Sequence, residues 1–377
     1  MNMIKVFVTG DVHIGKKYDR FADIKEDLIQ SRFDCLDKAI KEAEKKNCDY
    51  FVVTGDLFDS VSNIKQTHVQ KVVDILSGFG GRVLVLPGNH DYYTGEEKVW
   101  KDFVNSLDKT DHNIILITKM EPLVFDDGDE PVTFYPAYCQ KKHSEENNLG
   151  WIKKSKIDRS VFNIGIAHGS ISGLSPDLKN EYFLMTEQEL NSIPVDAWLI
   201  GHTHIPYPTD LQEDQDMSGY TIFNAGTPEQ TDLSNNTEGI CFILTMDKKQ
   251  RKTVVNARKF VSGSIRYFDL RLEVGEAGLD AAIEEIVKGL PDRSVVRLTV
   301  SGSVPEEEFS ERGRIYERHL DRFLTYEIED SELSERITVE KIRSEFAEIG
   351  FAANLLENLM DPKEVQMAYE LIKKYQA

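Results

Sequence analysis

The chain has 377 residues, 40% hydrophobic and 29% charged, enough for two or three domains whose cores need no disulfide support. Its net charge is -20, from 45 Lys+Arg against 65 Asp+Glu. That argues against a protein gripping nucleic acid through its own surface field, though not against a nucleic-acid enzyme given positive charge by metal ions or a partner.

No apolar run nears the roughly 18 residues of a membrane helix. Asp11 interrupts any leader-like start, and Cys35, Cys48, Cys139 and Cys241 lie far apart without a CxxC pair. The expectation is therefore a cytoplasmic protein with reduced thiols and no membrane attachment. In chain order, short β-branched runs at Ile4–Val8, Tyr50–Val53, Arg82–Leu86, Phe162–Ala167 and Ala197–Ile200 predict buried strands, each followed by a polar cluster. Between the first three, Ile24, Leu28, Leu36, Ile40 and Ala43 share one face of a helix over Ile24–Lys46. Val69, Val72, Val73 and Leu76 do the same over Ile64–Phe79. This β-α-β-α-β opening predicts parallel strands with helices packed on them and a site at the strand C-termini. Strands are expected within Val124–Tyr138 around an acidic turn, and again near Thr221–Asn224 and Gly239–Met246. The stretch Gln140–Arg159 is polar and basic around Trp151.

A change of pattern near Ser262–Ser264 opens a second unit. Ile265–Val274 reads as a strand, Ala277–Gly289 as an amphipathic helix and Ser294–Ser301 as a strand. Beyond Glu306 the pattern reads as charged helix, with Ile342, Phe346, Ile349, Leu356, Met360, Val365, Met367 and Leu371 as an apolar stripe. Residues 265–377 carry about half the excess negative charge. The expected domains are 1–263, a catalytic domain; 264–335, a small α/β capping domain; and 336–377, a helical tail able to dock on a partner.

Five clusters carry the chemistry: Gly10-Asp11-Val12-His13, Gly55-Asp56-Leu57-Phe58-Asp59, Gly88-Asn89-His90-Asp91, Ala167-His168-Gly169 and Gly201-His202-Thr203-His204. Asp11, His13, Asp56, Asn89, His168, His202 and His204 offer carboxylate, imidazole and amide donors without a thiolate. That set suits manganese, magnesium, iron or zinc. Seven donors are too many for one ion and about right for two, with a shared carboxylate as bridge. A single residue between Asp11 and His13, or between His202 and His204, lets both side chains of an extended pair point to one face. Taken singly, Asp-x-His and Gly-Asn-His-Asp are ordinary structural turns. Seven buried polar side chains left unpaired would cost more than a domain's stability.

The order of these clusters resembles the signature motifs of the calcineurin-like metallophosphoesterase superfamily, over roughly residues 4–230. The resemblance implies an α/β (α+β) fold: a four-layer α-β-β-α sandwich, here followed by the small C-terminal α/β cap domain and helical tail. It also implies two divalent ions, manganese first among the candidates. Asp11, His13, Asp56 and His204 would take one ion; Asp56, Asn89, His168 and His202 the other. His90 matches the family's catalytic histidine that does not ligate metal. Asp91 is expected either to orient His90 or to serve as a turn residue.

Within the superfamily, the DVHIGKKY loop, Gly-Asp-Leu-Phe-Asp, Pro-Gly-Asn-His-Asp, Gly-His-Thr-His and Asn224-Ala-Gly-Thr-Pro-Glu229 are similar to the SbcD-type DNA repair exonucleases, including the YhaO-like group. Some relatives carry a catalytic histidine where this chain has Asp59, so that role is not carried over. The resemblance implies two-metal hydrolysis of DNA phosphodiester bonds, with an SbcC-type coiled-coil ATPase as partner; a homodimer is compatible with it. Lys141, Lys142, Trp151, Lys153 and Lys154 are candidate DNA contacts. The alternatives are a small-molecule phosphodiesterase or phosphatase, which the acidic charge favours, and a non-catalytic scaffold, which the complete donor set disfavours.

Overall fold

The computed structural model describes all residues except 1–2, 110–111, 127, 129, 176, 178, 210–214, 217–218, 250–251, 276, 347–349, 360–361 and 377. The chain divides into two compact units, Met1–Tyr267 and Phe268–Ala377.

The first unit opens with β1 (Met3–Thr9), α1 (Lys25–Lys45), β2 (Tyr50–Val53), α2 (Gln66–Leu76), β3 (Arg82–Val85), α3 (Lys98–Leu107) and β4 (Ile114–Leu116). It continues with β5 (Leu123–Phe125), β6 (Val132–Ala137), β7 (Phe162–His168), α4 (Glu187–Ser192), β8 (Ala197–Gly201), β9 (Gln215–Asp216), β10 (Ile222–Phe223), β11 (Ile240–Lys249) and β12 (Lys252–Val261). One sheet runs β4-β3-β2-β1-β11-β12-β9 and the other β10-β8-β7-β6-β5. The strands β1 to β4 are parallel, as the helical crossovers require. In the second sheet β6, β7, β8 and β10 are also parallel.

Period-two alternation explains the layers. Phe7, Phe51, Val53, Val83 and Val85 point one way and pack with Leu36, Ile40, Val69, Val73 and Phe103 of the helices. Their neighbours Val6, Val8, Val52 and Leu84 point the other way and meet Phe134, Ile164, Ile166 and Leu199 of the second sheet. Both faces of the central strands are thus buried, which is why they read as continuous apolar runs. The outer face of the second sheet is covered by Leu149, Ile152, Leu190 and Ile193. That layer comes from the 140–195 loops and one six-residue helix, so the fourth layer is thinner than a helical one.

Helix α3 and strand β12 are among the elements not expected from the sequence. Helix α3 buries Val99, Trp100, Phe103 and Leu107, and β12 pairs with β11 along its full length.

The second unit holds β13 (Arg266–Val274), α5 (Leu279–Val287), β14 (Ser294–Val304), α6 (Glu306–Leu320) and β15 (Thr325–Glu335), with sheet order β13-β14-β15. Helices α7 (Val339–Glu345), α8 (Phe351–Asn358) and α9 (Pro362–Gln376) follow. The expectation of helix throughout the region beyond Glu306 is corrected here: β15 is an eleven-residue strand parallel to β14. Its glutamates favour helix in isolation, and pairing with β14 overrides that preference. The terminal apolar stripe is divided over three short helices. Ile342, Phe346 and Leu356 are buried with Ala353 and Tyr369, whereas Met367 and Leu371 are 65% and 50% exposed. Ile349 and Met360 lie outside the described residues. No helix among the described residues is long and apolar enough to cross a membrane.

Candidate metal centre

All seven expected donors meet at one edge of the first unit, beyond the C-termini of β1, β2, β3, β7 and β8. Parallel strands end on the same side, so loops distant in sequence converge there. Asp11, His13 and His204 form one group, and Asp56, His168 and His202 another, with potential ligand atoms within 4.8 Å of each other in each. Asn89 joins the second: its Oδ1 lies 2.9 Å from His168 Nε2 and 3.0 Å from His202 Nδ1. Asp56 sits between the groups, with Oδ2 3.4 Å from His168 Nε2 and 3.9 Å from His13 Nε2.

The backbone is bent to achieve this. Asp11, His13, Asp56 and His202 have φ of 52°, 51°, 51° and 100°. Non-glycine residues occupy such angles at a cost on the order of 1 kcal/mol or more each, and only where the surroundings hold them. Glycine is required where the loops touch. A Cβ on Gly55, itself at φ 110°, would lie 2.1 Å from His168 Nδ1, and one on Gly88 would lie 2.2 Å from Asp56 Oδ1.

Burial sets the electrostatics. It raises the cost of ionising Asp56, but the His168 charge and hydrogen bond outweigh it and hold the carboxyl well below its usual range. Asp11 is lowered against burial in the same way by His204 and His168. Burial also works against the His168 cation, yet Asp56 raises it to about 9. His13 and His202 are pushed down to about 4, chiefly by burial.

Without a cation the site is frustrated. His13 Nε2 and His204 Nε2 face each other at 3.1 Å, and the buried His13 Nδ1 and Asn89 Nδ2 have no hydrogen-bond partner. Asp59 lies 3.3 Å from His13 Nδ1, outside hydrogen-bond geometry. His168 Nδ1 donates to the Thr54 carbonyl at 2.9 Å, which in the neutral ring turns the Nε2 lone pair toward Asp56 and Asn89. Imidazole nitrogens with carboxylate and amide oxygens converging at these distances, and no thiolate among them, fit hard or borderline divalent ions.

His90 borders the same space, and its ring lies 4.9 Å edge-on from that of His13. Its backbone N–H donates to Asp56 Oδ1 at 2.8 Å, and its Nδ1 lies 3.1 Å from the Asp59 carbonyl. Asp91 does not orient it. Asp91 Oδ2 accepts from Phe58 N–H at 3.0 Å and Oδ1 from Gly88 N–H at 2.6 Å, which fastens the β2 loop to the β3 loop. Burial, with the Asp56 charge, pushes Asp91 up to about 8.

A cleft of about 540 Å³ opens over Asp56, Asn89, His90, His202 and His204. Tyr182, which sequence reasoning missed, lines it with its ring 4.9 Å from His202. Asp177, Asp232 and Asn235 line it as well, and the described residues lining it include no lysine or arginine.

Two of the expected DNA contacts are engaged within the protein. Trp151 is half-buried against Tyr135 and donates to the Pro136 carbonyl at 3.1 Å, because its loop folds onto the second sheet. Lys153 pairs with Glu189 at 2.6 Å. Lys141, Lys142 and Lys154 are exposed.

The family model for calcineurin-like phosphoesterases matches residues 4–206. This chain belongs to that family. Its fold is the family's mixed α/β arrangement, and its clustered donors are of the kind that hold divalent metal. Among curated proteins, the chain is 29% identical over 188 residues to the uncharacterized metallophosphoesterase YhaO of Bacillus subtilis, a match covering 49% of this chain and 42% of that protein. It is 26% identical over 216 residues to a bovine (Bos taurus) transmembrane protein with a metallophosphoesterase domain, covering 54% and 41%. The chain thus spans less than half the length of these two relatives. Among solved structures, a dimetal phosphatase from Danio rerio superimposes with a TM-score of 0.38 at 12% identity, covering 69% of this chain and 99% of that one. A calcineurin-like phosphoesterase from Bacillus subtilis, YfkN, does so with 0.38 at 12%, covering 69% and 91%.

Proposed function

We propose that this phosphoesterase is a two-metal phosphodiesterase that cleaves DNA, in the manner of SbcD-type nucleases. The observation that carries the phosphodiesterase reading is the placement of Asp56 between two donor groups. Asp11, His13, Asp56 and His204 would hold one divalent ion, and Asp56, Asn89, His168 and His202 the second; manganese is the ion proposed. When bound, such ions polarise phosphate oxygens and make water acidic enough to attack near neutral pH.

The chain's own residues do the rest. His90, whose Nδ1–H donates to the Asp59 carbonyl, would in its doubly protonated form give the Nε2 proton to the leaving sugar oxygen and be left as the neutral ring. Tyr182 and His202 wall the cleft beside the phosphate position. Asp91 keeps Asn89 and Asp56 in register by tying their loops together.

The DNA reading is supported by the run from DVHIGKKY to Asn224–Glu229 and by a second α/β unit after it. An SbcC-type ATPase is the proposed partner and would supply positive surface to a chain whose net charge is -20. Exposed Phe351, Met367, Leu371 and Tyr375 in the second unit offer it an apolar contact.

One observation favours a second reading, a small phosphodiester as substrate: among the described residues the cleft lining carries Asp177, Asp232 and histidines and no lysine or arginine. The deciding test sets linear duplex DNA, single-stranded DNA and bis-p-nitrophenyl phosphate against manganese, magnesium or chelator, with and without an SbcC-type ATPase. The DNA reading expects manganese-dependent loss of duplex ends. Cleavage of the ester alone in every condition selects the small substrate.

A further inference from the structure

We infer that Arg32 and Asn224 are positioning residues that set the two Asp-x-His and His-x-His pairs, and that Arg32 governs one ion while Asn224 governs both. The inference rests on the two-metal reading above.

In each pair the residue between the donors has its carbonyl drawn away from the site by a side-chain N–H. Arg32 lies on α1, 1% exposed. Its Nη1 donates to the Val12 carbonyl at 2.9 Å, its Nε to Tyr18 Oη at 2.7 Å and its Nη2 to the Gln230 carbonyl at 3.4 Å. Asn224, 2% exposed, donates from Nδ2 to the Thr203 carbonyl at 2.9 Å and accepts from Gly226 N–H at 2.8 Å. Val12 separates Asp11 from His13, and Thr203 separates His202 from His204.

These contacts hold a strained backbone. Asp11, His13 and His202 stand at positive φ, and relaxation of either turn would swing two donors apart. Thr227 adds to the first turn, with Oγ1 3.0 Å from the Asp11 carbonyl. A buried guanidinium is an expensive way to hold one carbonyl. Its cost is offset by three acceptors and by the nearby Glu229, whose carboxylate accepts from Ser264 and Ile265 N–H. Nothing in the reaction uses Arg32, Asn224 or Glu229 directly, so positioning is the role left to them.

The consequence is asymmetric. Arg32 acts on Asp11 and His13, both in the first donor group. Asn224 acts on the turn between His202, in the second group, and His204, in the first. Removing a partner that orients a ligand typically costs about 10- to 100-fold in metal affinity.

The test titrates manganese into chelator-treated full-length protein, followed by calorimetry and by the electron paramagnetic resonance signature of coupled ions. Wild type is expected to bind two ions. Arg32→Lys, which keeps the charge but not the fork of donors, is expected to weaken one ion at least about tenfold and leave the other within about twofold. Asn224→Asp, which keeps the acceptor for Gly226 and loses the donor to Thr203, is expected to weaken both.

Two ions of wild-type affinity in folded Arg32→Lys would overturn the inference, as would equal weakening of both ions by that variant. If Arg32→Lys does not fold, Tyr18→Phe removes one of the guanidinium's three acceptors. It is then expected to weaken the same single ion, and wild-type binding in it overturns the inference. Wild type that binds no manganese overturns the two-metal reading itself, so the two failures are distinguishable.

Discussion

His90 and Asp91 are adjacent in sequence and do different work. His90 lines the cleft, its Nδ1 lies 3.1 Å from the Asp59 carbonyl, and it clusters with His13 and Asp59 but belongs to neither of the two donor groups assigned to the ions. His90→Ala should therefore still bind two manganese ions while losing about 100-fold or more of turnover on bis-p-nitrophenyl phosphate. Ion stoichiometry and kcat measured on one preparation decide it; wild-type turnover rejects the assigned role. Asp91→Ala removes two buried hydrogen bonds from the loops beneath. It should destabilise the fold by about 2 kcal/mol or more and lower metal affinity with it. Gly55→Ala should be worse still, since its Cβ has no space beside His168 and its φ is positive. The measure is loss of both manganese binding and thermal stability.

Secondary-structure elements explain which side chains could not be assigned from sequence alone. Trp151 stands in a basic stretch and invites a nucleic-acid role, but the loop turns its ring onto β6. Trp151→Ala should cost about 2–4 kcal/mol in urea unfolding through lost packing and the Pro136 bond, and should leave low-salt DNA affinity unchanged. A fall in affinity without a fall in stability would return Trp151 to the interface. Strand β15 teaches the same lesson. Its run Thr325–Glu335 pairs with β14 and buries only Leu333 fully, and its glutamates imitate a solvated helix. Helix α3 shows the reverse. Val99, Trp100, Phe103 and Leu107 do have helical spacing, but the turn-rich segment before it masks the start.

Taken together, the first unit gathers unfavourable charge and strain at one edge, where its donor set suits divalent cations. In the ion-free protein, His168 is raised to about 9, so its contribution to stability is full below about pH 6.5 and is lost as pH rises through 9. His13 and His202 are lowered to about 4. Protonation favours their unfolded state, so their contribution is lost as pH falls from about 6.5 toward 4. The chelated protein should show its highest Tm near pH 6–7 and decline on both sides. His168→Asn should flatten the alkaline limb. Saturating manganese should raise Tm and steepen the acid side, because metal must displace protons from imidazole. A chelated profile that is flat between pH 5 and 9 would contradict this.

The donors were legible in one dimension because the fold is parallel: each follows a buried strand, and strands that run together end together. The glycines were legible for the same reason, as places where the chain leaves the sheet. The partners that hold the donors were not. Asp91 reaches Phe58 N–H, Arg32 reaches the Val12 carbonyl and Asn224 reaches the Thr203 carbonyl. A backbone N–H or C=O is the same group at nearly every position, so no residue type announces it. Only the packing of α1 and of the 224–230 segment behind the site selects which carbonyls are held, and with them which side chains converge.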